Sequence, residues 1–595
     1  MFVLFTYFMK KVFLLLLLFS FSFSSLRAQT FLWGAQPTPG PGTSGDDFGG
    51  DHYIAADGQG NTYFTGFLGF GYVFFGTYFL NVPEADMFLV KYNKNGKVLW
   101  AQCGIEVDAA SSGVGNSVAV DAAGDAYVTG YFIDTLYFGS VKLFEQWNGS
   151  FNGDVFIAKY DKNGNALWAK KAVQANSNGT GSGVAVCTDA SENAYLAGNF
   201  SDTLTFGNYK MVSSVGSIFL VKYDKNGNVL WAIHNNSGTL GGVNSDAVDA
   251  SGNIYISGTF TDTLSFGSVS VTTVAPYGSA YVAKFDASGN IAWIQKGDGG
   301  PYGGMAPDFG TSVSVDGAGN IYVTGGFLNN MTFGSISLNS SAGSTFLAKY
   351  DPNGNVIWAE NGGSGCIGFS VACDTLKRGG GYLVMSDYEG PGGLNKVGFR
   401  NMDTLSVTTP GNRSVSVLLA FDAAGKIACG SIFSEGLEDD GDAVAVDPSG
   451  QYVYIGGDID DTTIFAKDTL VYGNDMSYVA HWQPCVIPDD TNNSQNSNDT
   501  IPCISSCVYV PNAFSPNGDG HNDIEYVYGK CINTMDFIIF DRWGNKIFES
   551  ENMHNGWDGT YKGQSMNTGS FAYYLTALLQ DGTAVTKKGN IALVR

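Results

Sequence analysis

The chain has 595 residues and a formal net charge of −24, with 31 Lys and Arg against 55 Asp and Glu. A phosphate-binding surface needs clustered basic residues, so this balance argues against nucleic acid or an anionic membrane as a partner. Eighty glycines, 14% aromatic and only 14% charged residues suit a turn-rich all-β chain, and no segment beyond the first 30 residues carries a helical period.

Residues 1–28 read as a secretion signal. Met9-Lys10-Lys11 supply the charged region, 12–19 the apolar run, and Leu26-Arg27-Ala28 ends on a small residue before cleavage. A membrane anchor is the alternative reading, but the apolar run is short of a spanning helix and no second candidate follows. The mature chain is expected to begin near Gln29, without a membrane-spanning segment.

From there to residue 484 one pattern repeats. Copies end at Trp33, Trp100, Trp168, Trp231, Trp293 and Trp358, and a worn copy carries Cys429 in place of Trp; the intervals are 67, 68, 63, 62, 65 and 71 residues. Units of this length are too short to bury a core alone and must stack on their neighbours. The clearest copy, IFLVKYDKNGNVLWA at 218–232, sets two β-rich runs around Asn226-Gly227, a dipeptide that accepts positive φ at both central turn positions and so predicts a hairpin. A second hairpin pattern precedes each of these, as in SVAVDAAGDAYVTGYF at 117–132 and SVSVDGAGNIYVTGGF at 312–327. Each unit therefore supplies four antiparallel strands, the signature of a β-propeller.

The two half-patterns do not start and end together. The Trp strand appears first and alone at 31–33, and its missing partner appears last and alone at 477–482, so the two orphans are expected to complete one unit and close seven blades. Residues 31–483 resemble the seven-bladed propeller repeat family common in exported bacterial proteins, whose units read GN-x-Y-V-T-G and then F-x-A-K-Y-D-x-N-G-N-x-x-W. The sixth unit departs from that pattern at Cys429 and at 382–386.

The repeated Trp, Tyr and Phe read as packing between units, because aromatics recurring at one structural position fill a core. Asp161, Asp224 and Asp351 open D-x-N-G-N turns; glycine falls one place too early for a helix-loop calcium site, and the turn alone explains them. Between the second hairpin pattern and the next KYD strand lies a variable stretch opening on D-T-L (134–136, 202–204, 262–264), the natural place for a ligand-contacting loop, with Phe144, Trp147 and Tyr277 as aromatic candidates. The D-T-L triplets also fit an acceptor pattern for O-glycosylation in exported bacterial proteins. No catalytic constellation stands out: His52, His234, His481, His521 and His554 share no metal-ligand spacing, and no nucleophile elbow is present. Paired carboxylates brought together across blades remain a route to glycoside cleavage.

All nine cysteines lie beyond the signal, and an odd number leaves at least one free thiol. Cys103, Cys187, Cys366, Cys373 and Cys429 are scattered over repeats whose sister copies lack them, and read as small buried residues. The other four, Cys485, Cys503, Cys507 and Cys531, crowd where disulfides are expected.

Residues 485–506, with DDTNNSQNSNDT, read as a polar linker. Residues 507–595 then alternate strands with Gly/Asn turns, suggesting a small β-sandwich in which 542–545 turns a hairpin and Trp543 and Trp557 pack. This segment resembles the gliding-motility-associated C-terminal domain, the type B sorting domain of type IX secretion in Bacteroidetes. The motifs that carry the resemblance are Pro511-Asn512-Ala513-Phe514, Pro516-Asn517-Gly518-Asp519-Gly520, Asn522-Asp523, Arg542-Trp543-Gly544 and Trp557-Asp558-Gly559. It implies recognition by the outer-membrane export machinery and retention at the surface or release outside. In such a domain Cys507 and Cys531 would staple the first two strands, with Cys485 and Cys503 bracketing the linker. Asn517, Asp519, Asn522 and Asp523 put oxygen donors in one Gly-rich loop, open to a calcium reading or to plain Asx turns, and no other cofactor is expected.

The expectation is thus an all-β chain, a seven-bladed β-propeller (29–484) followed by a small β-sandwich domain, that works as a non-enzymatic binding or adhesion module toward an extracellular protein or glycan. The alternatives are a carbohydrate-active enzyme with carboxylates at the propeller channel and a structural part of the gliding or adhesion layer.

Overall fold

The computed structural model describes residues 31–39, 53–69, 71–82, 86–104, 112–144, 153–174, 179–236, 241–275, 278–299, 304–305, 311–340, 343–364, 366–373, 379–387, 414–436, 440–459, 463–465, 468–470, 476–484, 510, 513–516, 524, 526–527, 532–553, 555–579 and 584–594. Every regular element among them is a β-strand, and no helix there is long and apolar enough to cross a membrane. The chain divides into two compact units, 1–491 and 492–595. The expected signal (1–28) and linker (485–506) lie outside the described residues.

In the first unit one four-strand antiparallel sheet recurs. Sheet 1 is Tyr53–Ala56, Thr62–Leu68, Asp86–Tyr92 and Val98–Cys103. Sheet 2 is Ser112–Val120, Ala126–Ile133, Asp154–Tyr160 and Ala166–Lys171. Sheet 3 is Gly181–Thr188, Ala194–Phe206, Tyr209–Tyr223 and Val229–His234. Sheet 4 is Gly241–Val248, Ile254–Phe260, Ser279–Phe285 and Ile291–Asp298. Sheet 5 is Thr311–Val315, Ile321–Leu328, Ser344–Tyr350 and Val356–Ser364. Sheet 6 is Cys366–Cys373, Gly381–Asp387, Ser414–Phe421 and Ile427–Gly436. Sheet 7 takes Asp440–Val446, Val453–Ile459 and Met476–Trp482 from one end of the repeats and Phe31–Ala35 from the other, with Trp33 opposite His481.

First strands of consecutive sheets lie against one another, and Tyr53–Ala56 lies against Asp440–Val446. Each sheet is therefore covered on both faces. That is why the third strands Asp86–Tyr92, Asp154–Tyr160 and Ser344–Tyr350 are buried at every residue and read in sequence as near-continuous apolar runs rather than alternating ones.

The hairpin turns differ from the expected pair of positive-φ residues. In the turn at 224–228 only Gly227 is left-handed, at φ 79°. The Asp224 carboxylate accepts from the N–H groups of Asn226 and Asn228, which holds the intervening residues right-handed and leaves Gly227 to make the reversal, with a one-residue bulge at Lys222/Tyr223. The variable stretch is also more regular than expected: after the D-T-L triplet comes a short hairpin, as in Thr135–Phe138 with Val141–Phe144 and Thr263–Phe266 with Val269–Thr272. Asp134, Asp202 and Asp262 enter it at φ 56–66°, a conformation Asp tolerates better than most residues, and the following Leu136, Leu204 and Leu264 are wholly buried. Thr135 and Thr203 are buried with them, while Thr263 is half-buried, so backbone and packing account for the Asp and Leu of each triplet.

In the second unit the described residues form one five-stranded sheet, in the order Ala513–Phe514, Ala584–Leu593, Gly569–Leu579, Ile532–Phe540 and Lys546–Ser550, with the first pair parallel, and a two-stranded ribbon, Thr560–Tyr561 with Gln564–Ser565. The sequence reading expects a β-sandwich here; the described residues show this sheet and this ribbon. Phe514, Phe537, Ile539, Trp557, Leu575 and Ile591 build the core. Trp557 packs as expected, but Trp543 does not: it stands 80% exposed at the tip of the hairpin.

Cys103, Cys187 and Cys373 form no disulfide; Cys373 is buried, as expected of the scattered cysteines, while Cys103 and Cys187 are half-buried. Cys429 corrects that expectation, since its sulfur is in a disulfide. Cys485, Cys503, Cys507 and Cys531 lie outside the described residues.

Candidate functional site

Most of the repeated chemistry is spent between sheets. The fourth-strand Trp of one sheet donates its indole N–H to the second carbonyl of the next sheet's turn: Trp33 to Lys94 (2.9 Å), Trp100 to Lys162 (3.0 Å), Trp168 to Lys225 (3.0 Å), Trp231 to Ala287 (3.2 Å), Trp293 to Pro352 (3.3 Å) and Trp358 to Ala423 (3.1 Å). The ring lies on the turn glycine so closely that a Cβ at Gly96, Gly164 or Gly227 would come within 2.8–2.9 Å of indole carbon. Glycine is thus required twice, for its φ and for the indole seat. A second tier of bonds runs from Tyr hydroxyls to the other turn of the next sheet: Tyr63 to Gly124 O (2.8 Å), Tyr127 to Glu192 O (3.0 Å) and Tyr195 to Gly252 O (3.2 Å).

The Lys of the KYD motif lies inside this seam. Lys91, Lys159 and Lys222 are buried and pair with Asp57 (3.4 Å), Asp121 (3.2 Å) and Asp189 (3.3 Å), each ammonium lying 4.5–4.7 Å from the ring of Tyr63, Tyr127 or Tyr195. Sheet 7 places His481 at the Lys position, stacked on Tyr454 at 4.7 Å; burial pushes its pKa down to about 4, so the imidazole is neutral at physiological pH. The turn carboxylates of Asp286 and Asp351 are held below the ordinary range by the side-chain amides of Asn290 and Asn355. They work as turn braces, in line with the sequence reading of the D-x-N-G-N motif.

First strands are joined by Ser hydroxyls that accept from the neighbouring strand's N–H: Ser117 from Val186, Ser245 from Val313, Ser312 from Val371 and Ser370 from Val444, all at 3.1–3.2 Å. Next to this Ser position six sheets carry a buried aliphatic residue: Ile54, Val118, Val186, Val313, Val371 and Val444. Sheet 4 has Asp246 there. Its carboxyl, in contact with the Cys187 thiol, is pushed up to about 8 by burial, and its Oδ2 meets no hydrogen-bond partner.

The outward faces of the extra hairpins are the part of the repeat that changes. Sheet 1 presents Tyr72 (45% exposed) stacked on Phe79 (53% exposed) at 5.6 Å, with Phe74 beside them at 5.2 Å. Sheet 2 presents Tyr137 and Phe144 under the ammonium of Lys142, at 5.3 and 5.4 Å. In sheets 4 and 5 the matching positions are Thr263, Ser265, Ser270 and Thr272, and Asn330, Thr332, Ser337 and Asn339. Of the aromatic candidates, Phe144 is on this surface, while Trp147 and Tyr277 lie outside the described residues. Among the described residues no group of three or more His, Cys, Asp or Glu is arranged to hold a metal ion.

In the second unit Phe514 packs against Trp557 at 5.2 Å, and the Trp557 indole donates to Thr560 O at 2.8 Å. Asp558 caps the next turn through Thr560, and Gly559, at φ 76°, lies against Pro516 and Phe514. These motif residues hold the domain together. Arg542, Trp543 and Gly544 form a projecting turn. Pro511, Asn512, Asn517, Gly518, Asp519, Gly520, Asn522 and Asp523 lie outside the described residues.

Residues 508–593 match the family model described as the CHU_C type IX secretion signal domain. An uncharacterized WD repeat-containing protein of Acanthamoeba polyphaga mimivirus is 31% identical over 210 residues, covering 29% of this chain and 14% of that protein's length. Among solved structures, a quinohemoprotein alcohol dehydrogenase from Comamonas testosteroni aligns at 11% identity over 78% of each chain with a TM-score of 0.33. A protein of unknown function from Bacteroides caccae aligns at 12% identity over 58% of this chain and 89% of its own, with a TM-score of 0.27. The chain carries a C-terminal type IX secretion signal domain, and it is secreted or displayed at the cell surface by way of the outer membrane.

Proposed function

We propose that this protein is an exported seven-bladed β-propeller that acts as a binding or adhesion module, with residues 507–595 as its export address. Pairing of Phe31–Ala35 with Met476–Trp482, together with contact between the first strands of sheets 1 and 7, supports a ring that closes on itself. Binding rather than catalysis is favoured by where the repeat varies. Its conserved-in-chain polar groups are consumed in seams, whereas the hairpins of sheets 1 and 2 expose Tyr72, Phe79 and Phe144. Exposed aromatics among polar residues suit a glycan ring or a protein side chain.

That aromatic surface is the observation that carries the reading. Its test is a glycan and polysaccharide array, with extracellular proteins alongside, probed with the full chain and with a Tyr72→Ala/Phe79→Ala/Phe144→Ala variant. Binding by the parent that the variant loses is expected; equal binding by both would move the site elsewhere, and hydrolysis of an arrayed glycan would replace the reading with the carbohydrate-active one. The address is tested separately. Deleting 507–595 is expected to strand the repeats in the periplasm, and unchanged surface display would overturn it.

A further inference from the structure

The hairpin turn of the export domain is built like the turns that receive tryptophan between sheets. At 541–545, as at 224–228, the first residue's N–H bonds to the fifth residue's carbonyl and the glycine N–H bonds back to the first carbonyl. Asp541 Oδ1 accepts from Trp543 N at 2.8 Å and Asn545 N at 2.9 Å, and Oδ2 accepts from the Asn545 amide at 2.9 Å. Asp224 makes the same three bonds at 2.9, 2.8 and 2.8 Å. Gly544 sits at φ 81° and Gly227 at 79°, and both hairpins carry the same one-residue bulge just before the turn.

What differs is the seat. Each corresponding glycine of the repeats (Gly96, Gly164, Gly227, Gly289, Gly354 and Gly425) has an indole over it, whereas a Cβ built on Gly544 meets nothing within 4 Å. The second residue of the turn offers its carbonyl to an indole N–H in six repeats, and in the export domain that residue is Arg542. The third residue is Asn95, Asn163, Asn226, Ser288, Asn353 or Ala424 in the repeats, all small. Here it is Trp543, at 80% exposure the most exposed large apolar side chain among the described residues. A rigid turn with an open aromatic seat and a projecting Trp beside it has the makings of an interface anchor.

We propose that the turn at 541–545 is a docking seat for the export machinery: an aromatic side chain of a machinery protein lies on Gly544 and donates to the Arg542 carbonyl, with Trp543 packed alongside. The proposal rests on the reading of 507–595 as the export address, since that reading supplies the partner. The occupant's chemistry comes from the six filled seats, a flat ring with one N–H donor.

The test uses the full-length chain in a type IX-competent host, scored as the ratio of surface plus released protein to periplasmic protein. Trp543→Ala removes the anchor, Gly544→Asn keeps a residue tolerant of positive φ while putting atoms into the seat, and Trp543→Tyr restores an aromatic. The first two are expected to lower the ratio about tenfold, as loss of one interface anchor does, with thermal unfolding of the purified chains unchanged, and Trp543→Tyr is expected to recover most of it. Wild-type export of both Trp543→Ala and Gly544→Asn, while deletion of 507–595 still blocks export, would overturn the seat and leave the address standing. Export of the deletion chain would overturn the address itself. Export loss accompanied by a lowered unfolding temperature in Trp543→Ala would assign the residue to the fold and sink the seat.

Discussion

The seams between sheets 1 to 6 and the seam between sheets 6 and 7 solve one packing problem in two ways. In the former a Trp on the fourth strand docks on the turn that joins the next sheet's third and fourth strands. Sheet 7 has no such turn, because its third strand ends at Trp482 and its fourth begins at Phe31, at the far end of the repeats. A Trp on sheet 6 would have no seat. The worn repeat is explained by this: Cys429 stands at the Trp position and Ala420 at the Lys position opposite it. The indole comes from the other side instead. Trp482 of sheet 7, fully buried, reaches back to donate to Ser431 Oγ at 2.9 Å and meets Tyr382 edge-on at 5.9 Å. A departure from the repeat is here a consequence of the chain break, and the latch depends on the turn as much as on the Trp.

That comparison can be broken by experiment. Trp482→Ala should destabilise the repeats most, by about 3–5 kcal/mol, because a fully buried aromatic is lost and, among the described residues, no other indole bridges the seam; urea unfolding followed by Trp fluorescence reads it. A loss no larger than that of Trp231→Ala, whose indole is only half-buried, would mean the seam is not special. Measured against Cys429→Ser, which loses the same disulfide, Cys429→Trp should destabilise further, by about 1–3 kcal/mol, since an indole without a seat overpacks the site. If that substitution proves neutral, the turn is not what decides where Trp can stand. Gly227→Ala should fall in the same range, from left-handed φ and from the Trp168 ring 2.9 Å from the new Cβ.

A pH-dependent effect is expected at Asp246, the acid standing where the other six sheets carry an aliphatic residue. Its carboxyl titrates near 8 in the folded chain and near 3.9, roughly, in the unfolded one. Between those values the folded state holds a proton the unfolded state has released, so stability falls as pH rises from about 4 to 8 and is flat beyond. Asp246→Val should remove that slope and raise stability at pH 8 relative to the parent, relieving an unpartnered buried oxygen. An unchanged pH profile in the variant would show that Asp246 is ionised in the native fold.

The fold was legible in sequence where spacing alone decides it. The Trp interval marks the units, and counting Trp33 apart from its strand partner anticipated that Phe31–Ala35 would pair with Met476–Trp482. Short hairpins such as Thr135–Phe138 with Val141–Phe144 escaped notice because four residues give too few alternations to show a period, although Leu-x-Phe-Gly repeated in several copies was a usable signal. Trp543 was misread for a different reason. A Trp in a small β domain is usually core, as Trp557 is, and only the place of Trp543 at the third position of a braced turn, where the repeats hold Asn, Ser or Ala, says that it points away. The disulfide at Cys429 was equally hidden, since neither burial nor spacing separates a bonded sulfur from a packed one.

The strand Phe31–Ala35 waits longest for its neighbour. It is made ahead of every sheet, yet its hydrogen-bonding partner, Met476–Trp482, is the last strand of the repeats. No shorter product of synthesis can satisfy it, and a contact of such sequence separation forms slowly because the entropy of closing the loop precedes it. The export domain follows later in the chain, beyond residues 485–506. An address placed behind the closing strand appears only on molecules long enough to pair Phe31–Ala35 with Met476–Trp482, so chain order alone withholds the ticket from unfinished copies.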